Sequence, residues 1–415
     1  MLGALLLVPL TRGNALGYVA MLGALCGLAF IGDHAAYHAV LTMPSIAMLI
    51  AAFVLLAISV VVVSGLSNDT LVAFNFTPFL LAIPAYVVFL RARLARPAVS
   101  IAALAAGGAA VALVVAAFQH FAQGNDRPGG WELSPIHFAD LAVILGFMGL
   151  GGLLVETPPR WAWLLWFGPL AGVLAGILSG TRSALLVAGG AAVLALIFLV
   201  RRYRPPVAIV LGVIAGVVAL AVALDLIAPD VHLTRAFDVV GVLDQMLSAK
   251  QVSEFTVAVR LDQYQAALRE IASAPLFGHG WREDVQAAVP YMSPATQAAY
   301  FQAHWGYIHD ELLNFTAAMG LLGALAWVLL MAYPIVALVR APRSPEPAAR
   351  NYMTLVAWAG IVISGVSDVL FSTELTKTFY CFIPGAIVIL CSESPPGLLA
   401  PSTVAASATA AEPVS

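Results

Sequence analysis

The chain has 415 residues, 61% hydrophobic and only 10% charged, with a formal net charge of −3, and its mean hydropathy is +0.95. A soluble globular domain carries roughly 25% charged residues, so this composition excludes one. The small net charge says little about partners, because in a membrane protein the local sign matters, and nothing in it points to nucleic acid.

In chain order, residues 1–10 form a short apolar piece with neither a basic n-region nor a cleavage site, which reads as a retained membrane segment or half of a helical hairpin. Apolar stretches then follow near 14–32, 44–65, 71–90, 98–118, 135–154, 161–178, 184–200, 206–228, 311–339, 352–371 and 377–391. Runs such as "AVSIAALAAGGAAVALVVAAF" (98–118) and "PPVAIVLGVIAGVVALAVALDLIA" (205–228) reach the ~20 residues that cross a hydrocarbon core. The alternating pattern of a β-barrel is absent. The expected fold is an all-α polytopic membrane protein of eleven or twelve spans. Cys26, Cys381 and Cys391 all lie in apolar segments and read as packing residues, with no disulfide framework.

Three short loops are basic: "RARLARP" (91–97), "RRYRP" (201–205) and "RAPRSPEPAAR" (340–350). Alternating spans put all three on one side, which the positive-inside rule makes the cytoplasm. The opposite side then receives 67–69, 119–137, 179–183, 372–377 and the long stretch 229–310. A connection of that length carries structure of its own. In "VAVRLDQYQAALREIASAP" the residues Leu261, Tyr264, Leu268 and Ile271 follow helical spacing and predict an amphipathic helix along the outer face, ending at Pro275. "PLFGHGW" (275–281) follows, with two glycines suited to a tight turn, and 236–248 is a weaker candidate for a second helix. The organisation expected is an N-terminal transmembrane bundle over 1–228, a periplasmic loop over 229–310, C-terminal transmembrane helices over 311–394 and a disordered cytoplasmic tail over 395–415.

Three polar features meet on the outer side: Arg182 in "LSGTRSALL", Arg260 at the start of the amphipathic helix, and His309 with Asp310 where the span from 311 begins. Arginine presents a rigid fork of donors suited to phosphate oxygens, and histidine can accept a hydroxyl proton near neutral pH. Each has a plainer reading alone. Arg182 snorkels to headgroups, Arg260 is solvated on a surface helix, and His309 with two acids marks a helix N-terminus. Together they suggest a substrate activated by a lipid phosphate. His304 and His309 are five residues apart, off the i, i+4 spacing of a helical metal pair, and no D-x-D handle occurs, so no metal is expected. Asp368 reads as a hydrated residue near a helix end or as lining for an acceptor cleft. His34 and His38 fall on the cytoplasmic side with no role assigned.

"HDELLNFTAAMGLLG" is H-D, nine residues, then G-x-x-G, with Gly320 and Gly323 placed in the helix. It resembles the signature of the bacterial O-antigen ligases, where the second residue is more usually Asn, Ser or Gln. "LSGTRSALL" resembles that family's arginine-bearing span start, and "VRLDQYQAALREIASAPLFGHG" the opening of its large periplasmic loop. The resemblance covers roughly residues 170–390. It implies a GT-C-like glycosyltransferase of the inner membrane whose site faces the periplasm. The donor implied is a polysaccharide on undecaprenyl pyrophosphate, and the acceptor a sugar hydroxyl of lipid A–core oligosaccharide, with no cofactor. Arg182 and Arg260 would hold the pyrophosphate, His309 would act as base, and His304 and Asp310 would stand beside the substrate, Asp310 orienting His309. The rival readings are an O-antigen polymerase, which moves the glycan onto another lipid-linked glycan, a protein-glycosylating ligase of the same superfamily, and a non-catalytic transporter or flippase. Transporters carry charge at mid-membrane, whereas these spans are nearly free of it.

Overall fold

The computed structural model describes residues 1–6, 13–65, 68–205, 255–281, 283–303 and 306–393. The span expected at 206–228, the weaker helix at 236–248, the tail from 395 and His304 lie outside the described residues. Among the described residues every regular element is helical. In chain order the helices used below are α1 (Pro44–Ser64), α2 (Thr77–Arg91), α3 (Pro97–Ala117), α4 (Pro135–Gly149), α5 (Phe167–Leu178), α6 (Ser183–Tyr203), α7 (Phe255–Ser273), α8 (Glu311–Val339), α9 (Pro347–Gly365) and α10 (Glu374–Leu390). Proline opens α1, α2, α3, α4 and α9 at the first or second position, where its missing N–H costs nothing.

Six described segments are long and apolar enough to cross a membrane: Pro44–Ser64, Thr70–Arg91, Pro97–Ala122, Pro135–Leu153, Ser183–Tyr203 and Glu311–Val339. Asn14–Phe30 and Ala162–Leu178 are apolar but shorter. The chain is thus a multi-pass helical membrane protein. The stretches expected at 352–371 and 377–391 are the helices α9 and α10. The first ends at Gly365, so Asp368 lies beyond it in the connection to α10.

The segment containing α4 is the hub. Its apolar window is 94% buried, against 33–44% in the other five, and α3, α5, α6 and α9 pack around it. A Cβ on Gly146 of α4 would stand 2.4 Å from the Gly168 carbonyl oxygen, and one on Gly168 of α5 would stand 2.7 Å from that of Gly146. Only glycine lets two helix backbones approach that closely, the usual device where lipid supplies no hydrophobic drive.

Helix α8 contains a break rather than the continuous run expected through its glycine pair. Gly320 has φ 62° and ψ −151°, a conformation that a side chain resists. The carbonyls of Ala317 and Ala318 accept from the backbone N–H groups of His279 (3.1 Å) and Gly280 (2.8 Å), and Leu321 N–H donates to Pro275 O at 2.8 Å. Residues 275–281 are therefore a strap laid into the break, which answers the polar groups that an interrupted helix leaves open. Ser59 of α1 donates to Phe277 O at 2.8 Å and ties the strap from the other side. Gly278 and Gly280 take φ 69° and 109°.

Helix α7 forms where expected and ends at Ser273; of the expected face Tyr264 and Ile271 pack partly against a small buried cluster, but the fully buried positions lie beside them. Val259, Gln263, Ala266, Ala267 and Glu270 are buried, while Leu268 is 59% exposed. Gln263 is accepted inside because its amide is used: it accepts from His309 N–H at 3.2 Å and donates to Tyr307 O at 3.3 Å. Cys381 and Cys391 are buried as expected, whereas Cys26 is exposed on the outside of the bundle.

Candidate active site

The polar groups of α4, α6, α7, α8 and the 366–373 connection meet at one end of the bundle. Asp310 ends the loop before α8 as its N-cap, its Oδ1 accepting Leu313 N–H at 2.8 Å. A carboxylate there satisfies an open donor and sits at the positive end of the helix dipole. Burial pushes the Asp310 carboxyl up, and the N–H groups of Leu313 and Leu312 pull it part of the way back. Asp310 is thus occupied in capping, and the carboxylate on His309 belongs to another residue. His309 Nδ1 is 3.0 Å from Asp368 Oδ1. The expectation looked to Asp310 to orient the histidine; the carboxylate found on His309 Nδ1 is that of Asp368.

The Asp368 carboxylate is held in place from several sides. Its Oδ1 also accepts Val369 N–H at 2.9 Å. Glu311, the first residue of α8, takes the N–H groups of Leu370 (3.1 Å) and Phe371 (2.9 Å) on its own carboxylate. The residue after the capping Asp310 thereby fixes the connection that delivers Asp368. Burial alone would push the Asp368 carboxyl up. The hydrogen bond with His309 and the neighbouring imidazoles outweigh it and hold the group well below the usual carboxylate range.

On the other side of Asp368 is α4. His137 Nε2 is 3.5 Å from Asp368 Oδ2. One turn further along α4, buried Asp140 accepts from Ser183 Oγ at 2.9 Å and from the Ser364 hydroxyl. Ser183 is the neighbour of Arg182, the N-cap residue of α6. Thr181 Oγ1 donates to Pro135 O at 3.2 Å, which locks that mouth to the start of α4. Arg260 on α7 exerts its charge on both Asp140 and Tyr264. The Tyr264 hydroxyl donates to the backbone carbonyls of His309 and Val366. Burial pushes that phenol up to about 12, so it stays a donor at neutral pH.

The three residues expected to act together are thus brought to the same end. Arg182 is half-buried at the start of α6, Arg260 is half-buried on α7, and His309 is half-buried at the start of α8. Beside them Trp281 packs against Phe76 and Phe315 with ring centroids 5.1 and 5.3 Å apart. Phe315 also meets Phe371 at 6.0 Å. This aromatic wall joins the strap to the connection that carries Asp368. Among the described residues no group of three or more His, Cys, Asp or Glu side chains is arranged to hold a metal ion.

Sequence reasoning passed over His137 and Asp140, took Glu311 only as an acid at a helix N-terminus, and left Asp368 between two readings. A usable signal existed, since ionisable residues inside apolar spans are costly and mark function. In "SPIHFADLAVILG" a histidine and an aspartate three apart share one face of an otherwise apolar helix.

Chemically, the arrangement offers a histidine backed by a carboxylate and, at the same end, two arginines from separate helices. It can accept a proton and bind an anion. Residues 167–328 match the family model described as O-antigen ligase, a stretch that contains Arg182, Arg260 and His309 and stops before Asp368. No curated protein matches the chain.

Proposed function

We propose, from the match of residues 167–328 to the family model described as O-antigen ligase, that the chain is itself a glycan ligase. The donor is a polysaccharide carried on undecaprenyl pyrophosphate, and the acceptor is a sugar hydroxyl on lipid A–core oligosaccharide. The reaction is a single inverting displacement at the anomeric carbon without metal. The observation that carries this reading is the His309–Asp368 pair at 3.0 Å, at the same end of the bundle as Arg182 and Arg260.

With Nδ1–H directed at Asp368, His309 presents its Nε2 lone pair. The acceptor hydroxyl gives its proton to Nε2 as its oxygen attacks the anomeric carbon. The bond from that carbon to the pyrophosphate oxygen breaks, and its electron pair leaves with the lipid pyrophosphate. Asp368 stabilises the imidazolium that forms, as the aspartate of a catalytic triad does. Arg182 and Arg260 meet the charge growing on the leaving group. Asp310 keeps the start of α8, and with it His309, in place.

The site faces the periplasm of the inner membrane in this reading. Support comes from the opposite end of the bundle, where the basic loops gather: Arg202 donates to Glu156 O at 3.1 Å and Glu346 accepts Glu156 N–H at 2.8 Å. Cysteines placed at the exposed positions Asn125 and Gln286 are expected to label from the periplasm, and one at Ser344 to stay dark; labelling of Ser344 from outside reverses the orientation. The deciding assay is glycan transfer by purified protein from the lipid-linked donor to core lipid, with and without chelator. Transfer to core lipid that persists in chelator supports the reading. Transfer only onto a second lipid-linked glycan would make the protein a polymerase, and dependence on an added divalent cation would remove the metal-free step.

A further inference from the structure

Asp368 faces two imidazoles, and the mechanism above uses one. His137 is 3% exposed, and neither of its ring nitrogens completes a hydrogen bond of normal geometry among the described residues, although the Val369 backbone next to Asp368 lies against the ring. Its Nε2 looks at Asp368 Oδ2 across 3.5 Å, while His309 Nδ1 holds Oδ1 at 3.0 Å. Buried imidazole nitrogens are normally satisfied, so an unsatisfied one aimed at a carboxylate has a purpose to be found. Resting on the reading of His309 as the base, we propose that His137 is a positioning residue for glycan transfer, which donates Nε2–H to Asp368 Oδ2 and keeps the other carboxylate oxygen aligned with His309.

The surroundings explain why such a clamp is needed. Asp368 lies in the connection after α9, not in a helix; His309 and Val369 N–H both meet its Oδ1, and His137 is the group that faces Oδ2. The fixed partner comes from α4, the most buried span, so His137 anchors a loop carboxylate to the most rigid element available. Among the described residues, the charged and titratable groups facing this cluster are few. Asp140 lies on α4 itself, and Arg182 stands at the start of α6, beside Ser183, which bonds Asp140. Arg260 and Tyr264 come from α7, and His309, Asp310 and Glu311 from the start of α8. α3 and α5 contribute no ionisable side chain, and Arg350 and Tyr352 of α9 sit at the far end of that helix.

The sign of the effect follows from charge. A donor on Oδ2 draws electron density from the carboxylate. Removing it leaves more negative charge facing His309, which then holds a proton more tightly. A protonated His137 would act in the same direction, since its removal also takes positive charge away. Loss of His137 is therefore expected to move the acid limb of the transfer profile to higher pH, because His309 must be unprotonated to act.

The test compares full-length His137→Phe, His137→Leu and His137→Gln with wild type in the transfer assay from about pH 5 to pH 9. Phe keeps the ring volume without a donor, Leu is a second residue without one, and the Gln amide nitrogen reaches the place of Nε2 and can donate. The expected result is a loss of about tenfold in kcat for Phe and Leu, with KM for the donor lipid unchanged. Their acid limb should rise by about half a pH unit or more, and Gln should restore both kcat and the limb. A wild-type acid limb in whichever of the Phe and Leu variants folds, or a Gln variant as impaired as Phe, overturns the proposal. His309→Ala separates the two claims. If it stays active, the base reading falls whatever His137 does; if it is inactive while His137→Phe behaves as wild type, only the positioning role is lost.

Discussion

The two ends of the helix bundle use charge in opposite ways. At the basic end, arginines reach out to surface carbonyls and to one another's loops. Arg202 donates to Val155 O and Glu156 O, and Arg96 to Thr157. At the other end, carboxylates and imidazoles are buried and answer one another: Asp140, Asp368, Glu311 and His137 are all under 9% exposed. Charges of the first kind are cheap, since water and lipid headgroups share them. Charges of the second kind are costly to bury and persist where something is gained by it. The contrast separates anchoring from chemistry without reference to any relative, and it ranks the experiments below.

The largest effect is expected where a buried pair is broken. His309→Ala should lower transfer by about 10²–10⁴-fold, and Asp368→Asn, which keeps the shape and removes the charge, by about 10²-fold or more. Both proteins should still fold and insert. Arg202→Lys at the opposite end should transfer as wild type. Turnover by His309→Ala near wild type, or equal losses at both ends, would erase the distinction between the two regions.

The arginines at the site give the next test, because they could belong to either class. An anchor needs only a long cationic stem, while a pyrophosphate clamp needs the planar fork. Arg182→Lys and Arg260→Lys should each reduce transfer by about tenfold, or ~1.4 kcal/mol of transition-state stabilisation, with weaker donor binding. Arg269→Lys, exposed further along α7, is the control expected to change nothing. Full activity in both lysine variants would assign Arg182 and Arg260 to headgroup anchoring.

The strap in the α8 break supplies a stability test. A Cβ at Gly320 would stand 2.3 Å from the Leu276 carbonyl carbon, on a backbone conformation that itself costs about 1–3 kcal/mol for other residues. Gly320→Ala should therefore lower the melting temperature measured in detergent and loosen the strap. Gly306→Ala, whose new methyl meets nothing within 4 Å, should melt as wild type. An unchanged midpoint for Gly320→Ala would mean that the break is not fixed by its glycine.

How much of this was legible in the sequence depended on what local pattern can carry. Span positions and the grouping of basic loops follow from composition, and each described stretch named from hydropathy is helical within a few residues. Arg182, Arg260 and His309 were findable because each opens or borders an apolar run. The partner of His309 was not. Asp310 is adjacent in sequence and Asp368 is 59 residues away, and adjacency misleads where a residue caps its own helix. The buried face of α7 is only partly legible for a related reason: Tyr264 and Ile271 pack as their spacing predicts, but Gln263 and Glu270 turn inward because partners await them. The role of Gly320 depends on the strap that enters the break, which no helical period announces.

The smallest expected effect lies where the strap meets α7. Glu270 is fully buried, and its Oε1 is 2.9 Å from His279 Nδ1, the strap histidine, whose Nε2 is 3.2 Å from Ser273 Oγ. Burial pushes the Glu270 carboxyl up to about 8, and buried Asp284 nearby adds to the rise. At neutral pH the Glu270 carboxyl therefore keeps its proton. Because the folded state binds that proton more tightly than the unfolded chain, the stability it contributes is complete below the ordinary glutamate range near ~4.3 and is lost as pH rises through about 8. The melting temperature of the wild type should decline between about pH 6 and pH 9 more steeply than that of Glu270→Gln, which has no proton to lose. Transfer at fixed pH should change little in that variant, since Glu270 touches none of His309, Asp368 and the two arginines. Parallel melting curves for the two proteins across that range would show that the strap is held by its backbone bonds to α8 alone and that the Glu270–His279 contact adds nothing to it.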